Sequence, residues 1–170
     1  MGLVPLQTTD ELTIYRWLND PRVRTRAGRP GWKACYSLEQ AQDLIRERLG
    51  QRTRFDLLVV DLAREEPVGL VELDHLHAMS DSARISVVWG GKEGEEMIEE
   101  ALRLGVGFGF NSQALHRLWA RVPCVDRILL RAFQQVGFKV EGVLREDHFS
   151  GGVWRDSTLL SLLSAEARPC

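Results

Sequence analysis

A single domain of the α/β class, with a mixed α+β sheet carrying helices, follows from three features of the sequence. The first is a strand, a glycine turn and a helix in succession, running from Arg84 to Phe110. The second is a pair of hairpin signals, Phe55 to Asp61 with Val68 to His77, and Phe138 to Phe149 with Val153 to Leu163. The third is the order of apolar periods along the chain, β-α-α-β-β-β-α-β-α-β-β, with no repeat, linker or low-complexity segment between them.

The elements justify themselves in order. Leu3-Val4-Pro5-Leu6 suits a short edge strand, where proline is tolerated. Thr8-Thr9-Asp10-Glu11 matches a capping box, which predicts a helix from about Thr9 to Leu18, stopped by Asn19-Asp20-Pro21. Ser37-Leu38-Glu39-Gln40 is a second box, opening a helix through Ala41, Leu44, Ile45 and Leu49 to Gly50. Ile85 to Trp89 is β-branched and aromatic and reads as a buried strand. From Glu95 a helical period places Met97, Ala101, Leu104 and Phe108 on one face. Gly105, Gly107 and Gly109 follow helical sequence and not a strand, so close helix–sheet packing or early fraying explains them better than nucleotide binding. Leu115 to Val122 is a strand ended by Pro123. Asp126 caps a helix carrying Leu129, Leu130, Phe133 and Val136, and Gly137 ends it. Ser150-Gly151-Gly152 turns the last hairpin.

With 170 residues the chain is long enough for one substantial core. A formal net charge of −2 gives no global attraction to nucleic acid or to a membrane surface, so neither is expected as a partner. No apolar run approaches the ~18 residues of a membrane span, and Met1 to Pro5 lacks a secretory signal's charged start and apolar middle. Cys35, Cys124 and Cys170 are odd in number and lack zinc-ligand spacing, which fits reduced thiols in the cytoplasm and no metal.

Chemistry concentrates at four places. On the strand from Val68, the period of two sets Glu72 and Asp74 on one face with Leu70 and Leu76, and His75 and His77 on the other with Leu73. A carboxyl among apolar neighbours can be pushed toward general-base strength, which makes Glu72 and Asp74 candidates; the histidine pair lacks a third metal ligand. Arg22 to Lys33 holds five cations and no acid, and reads either as a solvated loop or as a lid for an anionic substrate, with Trp32 and Tyr36 as flat contact surfaces. His148, beside Asp147, is a hairpin surface residue or an acceptor contact. The glycine turn before Glu95 is an anion site in waiting, because the first N–H groups of a helix have no partner within it.

The element order resembles the GNAT superfamily of acyl-CoA-dependent N-acyltransferases, and most closely its ribosomal-protein-alanine acetyltransferase branch (RimJ/RimL-like). The marks are Trp17-Leu18-Asn19-Asp20-Pro21, Leu115-His116-Arg117-Leu118, Val136-Gly137-Phe138 and Trp154-Arg155-Asp156, spread over essentially the whole chain. The resemblance implies that acetyl-CoA, the cosubstrate, lies in a V-shaped opening between two splayed parallel strands, Ile85–Trp89 and Leu118–Val122. It implies pantetheine against Val87, Val88 and Trp89, the pyrophosphate on the turn with Gly91, Lys92 and Gly94, and Asp126 as a further cofactor contact. The acceptor, a primary amine of a small molecule or of a peptide N-terminus, enters over the first two helices and the last hairpin, where Arg26, Trp32 and Tyr36 border it. The implied reaction is direct attack of the neutral amine on the thioester, with Glu72 as base, directly or through water, and Asp74 or His148 as substitutes.

The chain departs from the family pattern in three respects. Glu93, Glu95 and Glu96 surround the phosphate turn, with Lys92 as its one cation; Phe133 stands where many members place a proton-donating tyrosine; and Asp126 and Leu129 replace the usual Asn and small residue. These keep two alternatives open: a GNAT-fold binding module without acetyl-CoA, and an enzyme using an acyl group on a carrier protein. Leu159 to Leu163 fits core, and leaves strand exchange in a homodimer open.

Overall fold

The structure is a computed structural model, which describes residues 1–23, 35–77, 79–90 and 95–167. The chain builds β1 (Gly2–Pro5), α1 (Glu11–Asn19), α2 (Leu38–Leu49), β2 (Phe55–Asp61), β3 (Glu66–His77) and β4 (Ser82–Trp89). It continues with α3 (Glu95–Gly107), β5 (Arg117–Pro123), α4 (Arg127–Val136), β6 (Lys139–Ser150) and β7 (Val153–Leu163). The strands form one sheet in the order β1-β2-β3-β4-β5-β7-β6. β4 and β5 are parallel and the other neighbouring pairs antiparallel, so the expected mixed sheet forms and β1 is an edge strand.

Helices cover both faces of the sheet. One face carries α3 and α4 over a core of Val71, Leu73, Ile85, Leu118, Leu160 and Leu162. The other carries α1 and α2 over Leu6, Leu58, Leu70 and Val88.

Local chemistry explains most boundaries. Gln40 N–H donates to Ser37 Oγ (3.1 Å) and Ser37 N–H to Gln40 Oε1 (3.0 Å), a reciprocal cap that starts α2. At α1 the cap sits one residue earlier than expected: Asp10 Oδ2 accepts from Gln7 N–H (2.7 Å), and a single 3₁₀ turn, Thr8–Asp10, precedes the helix. Asp126 Oδ1 accepts from Leu129 N–H (3.0 Å) at the start of α4.

The buried face of α3 also differs from expectation. It runs through Ile98, Ala101, Leu102 and Gly105 to Gly109, while Met97 and Phe108 lie at its margin. The reason is packing distance. A Cβ on Gly105 would lie 2.6 Å from Val71 Cγ1, so glycine lets the helix backbone settle directly on the sheet. Beyond Gly107 the helix widens into a π-helical turn, Phe108–Ser112.

Candidate active site

The central feature is an opening in the sheet. Parallel pairing of β4 with β5 covers Ser82↔Arg117, Ala83↔Leu118 and Arg84↔Trp119, and among the described residues no ladder pair joins the two strands beyond that. β4 continues to Trp89 and β5 to Pro123, each held on its far side, by β3 and β7 respectively. The C-terminal halves of two neighbouring parallel strands therefore diverge at the carboxyl edge of the sheet. Val87, Val88 and Trp89 form one arm of the opening, with Val88 toward α1 and α2, and Val87 and Trp89 toward α3. Gly91, Lys92 and Gly94 lie outside the described residues, as do Arg26 and Trp32.

Strand register brings the acidic candidates to the α1/α2 face. Glu72 pairs with Ser86 and Asp74 with Arg84, so these four side chains share one side, as the period of two requires. Glu72 is fully buried. Its Oε1 accepts from Arg48 and lies 3.5 Å from Arg54 Nη2, and its Oε2 accepts from Ser86 Oγ (2.9 Å). Asp56 completes this cluster, accepting from Arg54 twice (2.7 and 2.7 Å) and from Arg48 (3.3 Å). The expected surroundings of this carboxyl are thereby corrected: in place of apolar neighbours alone it meets two guanidinium groups and a hydroxyl. Burial lowers the Arg48 pKa, an effect that Asp56 opposes.

Asp74 is clamped in the same way. Arg84 donates to both its oxygens (2.8 and 2.6 Å) and His75 Nδ1 lies 2.9 Å from Oδ1. Burial acts to raise the Asp74 pKa, but Arg84 and His75 together outweigh it and hold the carboxyl below its usual range. A depressed folded-state pKa contributes stability that is complete above the unfolded value and is lost as pH falls through the folded one. Asp74→Asn is therefore expected to cost about 3 kcal/mol in urea denaturation at pH 7. The gap from wild type should narrow as pH drops below about 4; a gap that holds constant to acid pH would overturn the assignment.

His75 takes φ +51°, breaking the strand alternation, and its ring packs edge-on to Trp119. It no longer pairs with His77, which instead meets Ser80 Oγ (3.2 Å). Among the described residues no group of three or more His, Cys, Asp or Glu could hold a metal.

The third candidate base has a different environment. His148 is 4% exposed, and its Nδ1 lies 3.3 Å from Ser157 Oγ and 4.0 Å from Asp147 Oδ2. That Oδ2 is buried without a hydrogen-bond partner among the described residues, while Asp147 Oδ1 accepts from Arg121 (3.1 Å). An anionic acceptor on the Nδ1 side favours the tautomer that carries its proton there, leaving the Nε2 lone pair to accept another. Ser157 pairs with Pro123 across the β5–β7 ladder, and Trp119, Arg121 and Pro123 alternate onto the face that holds Arg84 and Ser86. The histidine and the Glu72 cluster thus flank the opening on one side of the sheet.

Between α1, α2 and this face lies a cavity of about 340 Å³, mouth included, walled by apolar side chains with Arg48 and Glu72 among its lining. Trp17 belongs to that wall because Gly90 leaves room for it; a Cβ on Gly90 would overlap the indole. Asn19, from the Trp-Leu-Asn-Asp-Pro mark, ties the two helices together, accepting from Tyr36 N–H (2.9 Å) and donating to Tyr36 O (3.1 Å). Tyr36 packs beside this core. Asp20 is held at a pKa of about 2, first by the Arg22 side chain and then by the Arg22 backbone N–H. Asp126 and Phe133 have structural positions: the first caps α4, and the second is buried edge-on to Phe138 (4.9 Å).

The sequence reading missed Arg48, Arg54, Asp56 and Ser86. One signal was available: Arg48 follows Ala41 and Ile45 at i+7 and i+3 on the buried stripe of α2, where a cation needs a buried acid.

Comparison with known proteins agrees with this geometry. Residues 1–139 match the family model described as acetyltransferase (GNAT) domain. The fold is similar to spermidine N-acetyltransferase from Vibrio cholerae, crystallised in complex with CoA and spermine: TM-score 0.89, 19% identity, 97% of this chain and 96% of that one. Among curated proteins, it is 33% identical over 73 residues to the probable N-acetyltransferase YjcK of Bacillus subtilis (43% of this chain, 40% of that protein). It is 26% identical over 93 residues to spermidine N(1)-acetyltransferase of Escherichia coli K12 (54% and 50%). The matched stretch thus spans half or less of the length of these two relatives. The relatives do not single out the ribosomal-protein-alanine branch.

Proposed function

The chain belongs to the acetyltransferase (GNAT) domain family, and from that premise we propose that it transfers an acetyl group from acetyl-CoA to a primary amine of a small molecule or peptide N-terminus. The observation that carries the reading is the end of β4–β5 pairing at Arg84↔Trp119. Backbone groups at a diverged strand edge offer hydrogen bonds to an extended amide chain, and pantetheine is one. The residues along that edge fit such a guest, since Val87, Val88 and Trp89 on β4 are apolar.

Acetyl-CoA supplies an activated acyl group as a thioester. In the overall transfer an N–C bond forms, the C–S bond breaks with its electron pair leaving on sulfur, and the proton lost by the amine is taken up by a base. We assign that proton to His148 Nε2, oriented through Nδ1 by Ser157 and Asp147. Glu72 acts as a fixed anion that positions Arg48 and Ser86 beside the acceptor cavity. Backbone N–H groups of the Val87–Trp89 segment polarise the carbonyl. Tyr36, at the edge of the α1/α2 core, borders the acceptor, and Arg26 and Trp32 remain proposed contacts from the sequence.

Calorimetric titration with acetyl-CoA, with pantetheine as control, tests this reading. Micromolar binding of acetyl-CoA is expected, with pantetheine weaker. Equal binding of pantetheine would instead favour an acyl group delivered by a carrier protein, a reading that the acids Glu93, Glu95 and Glu96 support because a carrier places no free diphosphate there. No heat at millimolar acetyl-CoA would remove acetyl-CoA as donor.

A further inference from the structure

We infer that the acceptor cavity takes a primary amine borne on an apolar group and disfavours a polycation; this rests on the acyl-transfer reading above. The first support is the wall of the cavity, where Ile14, Trp17, Leu44, Leu70 and Val88 supply apolar surface.

The second support is the state of the β2 and β3 acids, Asp56, Glu72 and Asp74. A polyamine is bound by carboxylates whose charge is available to it. Here Glu72 is engaged by Arg48 and Arg54, Asp56 by Arg54 and Arg48, and Asp74 by Arg84. A second ammonium on the substrate would have to displace a guanidinium from a buried site, or remain desolvated without a counter-charge. An apolar group meets no such penalty and gains from burial against the wall.

The third support is a donor without a partner. Arg48 Nε is buried with no hydrogen-bond partner among the described residues, and Arg48 lines the cavity. Such a donor calls for an acceptor atom, which an oxygen on the bound amine or an ordered water can provide, whereas an additional ammonium cannot.

Thiol release from acetyl-CoA, measured with 2-phenylethylamine, isoamylamine, putrescine and spermidine, decides the matter. The wild type is expected to show kcat/KM at least tenfold higher for the two apolar amines than for spermidine. Leu44→Glu, at a half-buried wall position, should reverse that order by lowering 2-phenylethylamine turnover and raising spermidine turnover, with acetyl-CoA affinity unchanged. Thiol release with spermidine preferred by the wild type overturns the acceptor class and leaves acyl transfer standing. No heat with acetyl-CoA and no thiol release with any amine overturns acyl transfer itself, and the acceptor class with it. The wild-type comparison is decisive even where Leu44→Glu fails to fold.

Discussion

Glu72→Leu is expected to destabilise the protein by about 3–5 kcal/mol, the cost of removing one partner from a buried ion pair. The carboxylate is fully buried and accepts from Arg48, whose side chain is 11% exposed. Its removal leaves a buried group of two guanidiniums and one carboxylate, Asp56, with a net positive charge that the surrounding apolar core cannot solvate. Against a total stability of about 5–15 kcal/mol this is a large fraction. It should appear as a loss of roughly 10 °C in melting temperature. The same physics predicts recovery: Glu72→Leu combined with Arg48→Met restores neutrality, because Asp56 and Arg54 remain as a pair, and should regain most of the loss. Urea denaturation of the two single variants and the double variant measures the coupling. A Glu72→Leu protein within 1 kcal/mol of wild type, on the order of an exposed pair, would show that the cluster contributes no more than a surface ion pair.

The second large effect concerns catalysis. His148→Ala is expected to lower kcat by about 10²- to 10⁴-fold, the usual range for a positioned general base. Acetyl-CoA affinity should stay unchanged, since the side chain sits on the β6–β7 side and not on β4. Asp147→Asn should reduce kcat less, because it disturbs the tautomer and not the accepting atom. Retention of kcat within threefold in His148→Ala would return the base role to Glu72 acting through water, the assignment first expected from the strand pattern.

These two residues show how far sequence carried the site. The shared face of Glu72 and Asp74 was legible because alternation along a strand is a covalent property of the extended backbone, and both strands of the β2–β3 hairpin announced themselves by composition. The element order and the Ser37 and Asp126 caps were legible for the same local reason. The role of Glu72 was not. Its partner Arg48 lies 24 residues away on a helix, and whether a buried carboxyl meets hydrocarbon or a guanidinium depends on how α2 packs on the sheet. His75 shows the limit of alternation itself: a left-handed φ moved it off the face its position assigned.

What the sequence determined by itself was the order, type and approximate bounds of the elements, and which strand side chains share a side. Each depends on interactions within a few residues, where sterics and capping hydrogen bonds act regardless of context. Tertiary structure alone decided where β4 and β5 part, how deeply the glycine-bearing α3 settles on Val71, and that Arg48, Arg54 and Arg84 pair with the β2 and β3 acids of the α1/α2 face. Electrostatic environment and strand divergence are set through space by segments distant in sequence, so they come into being only when the helices dock on the sheet.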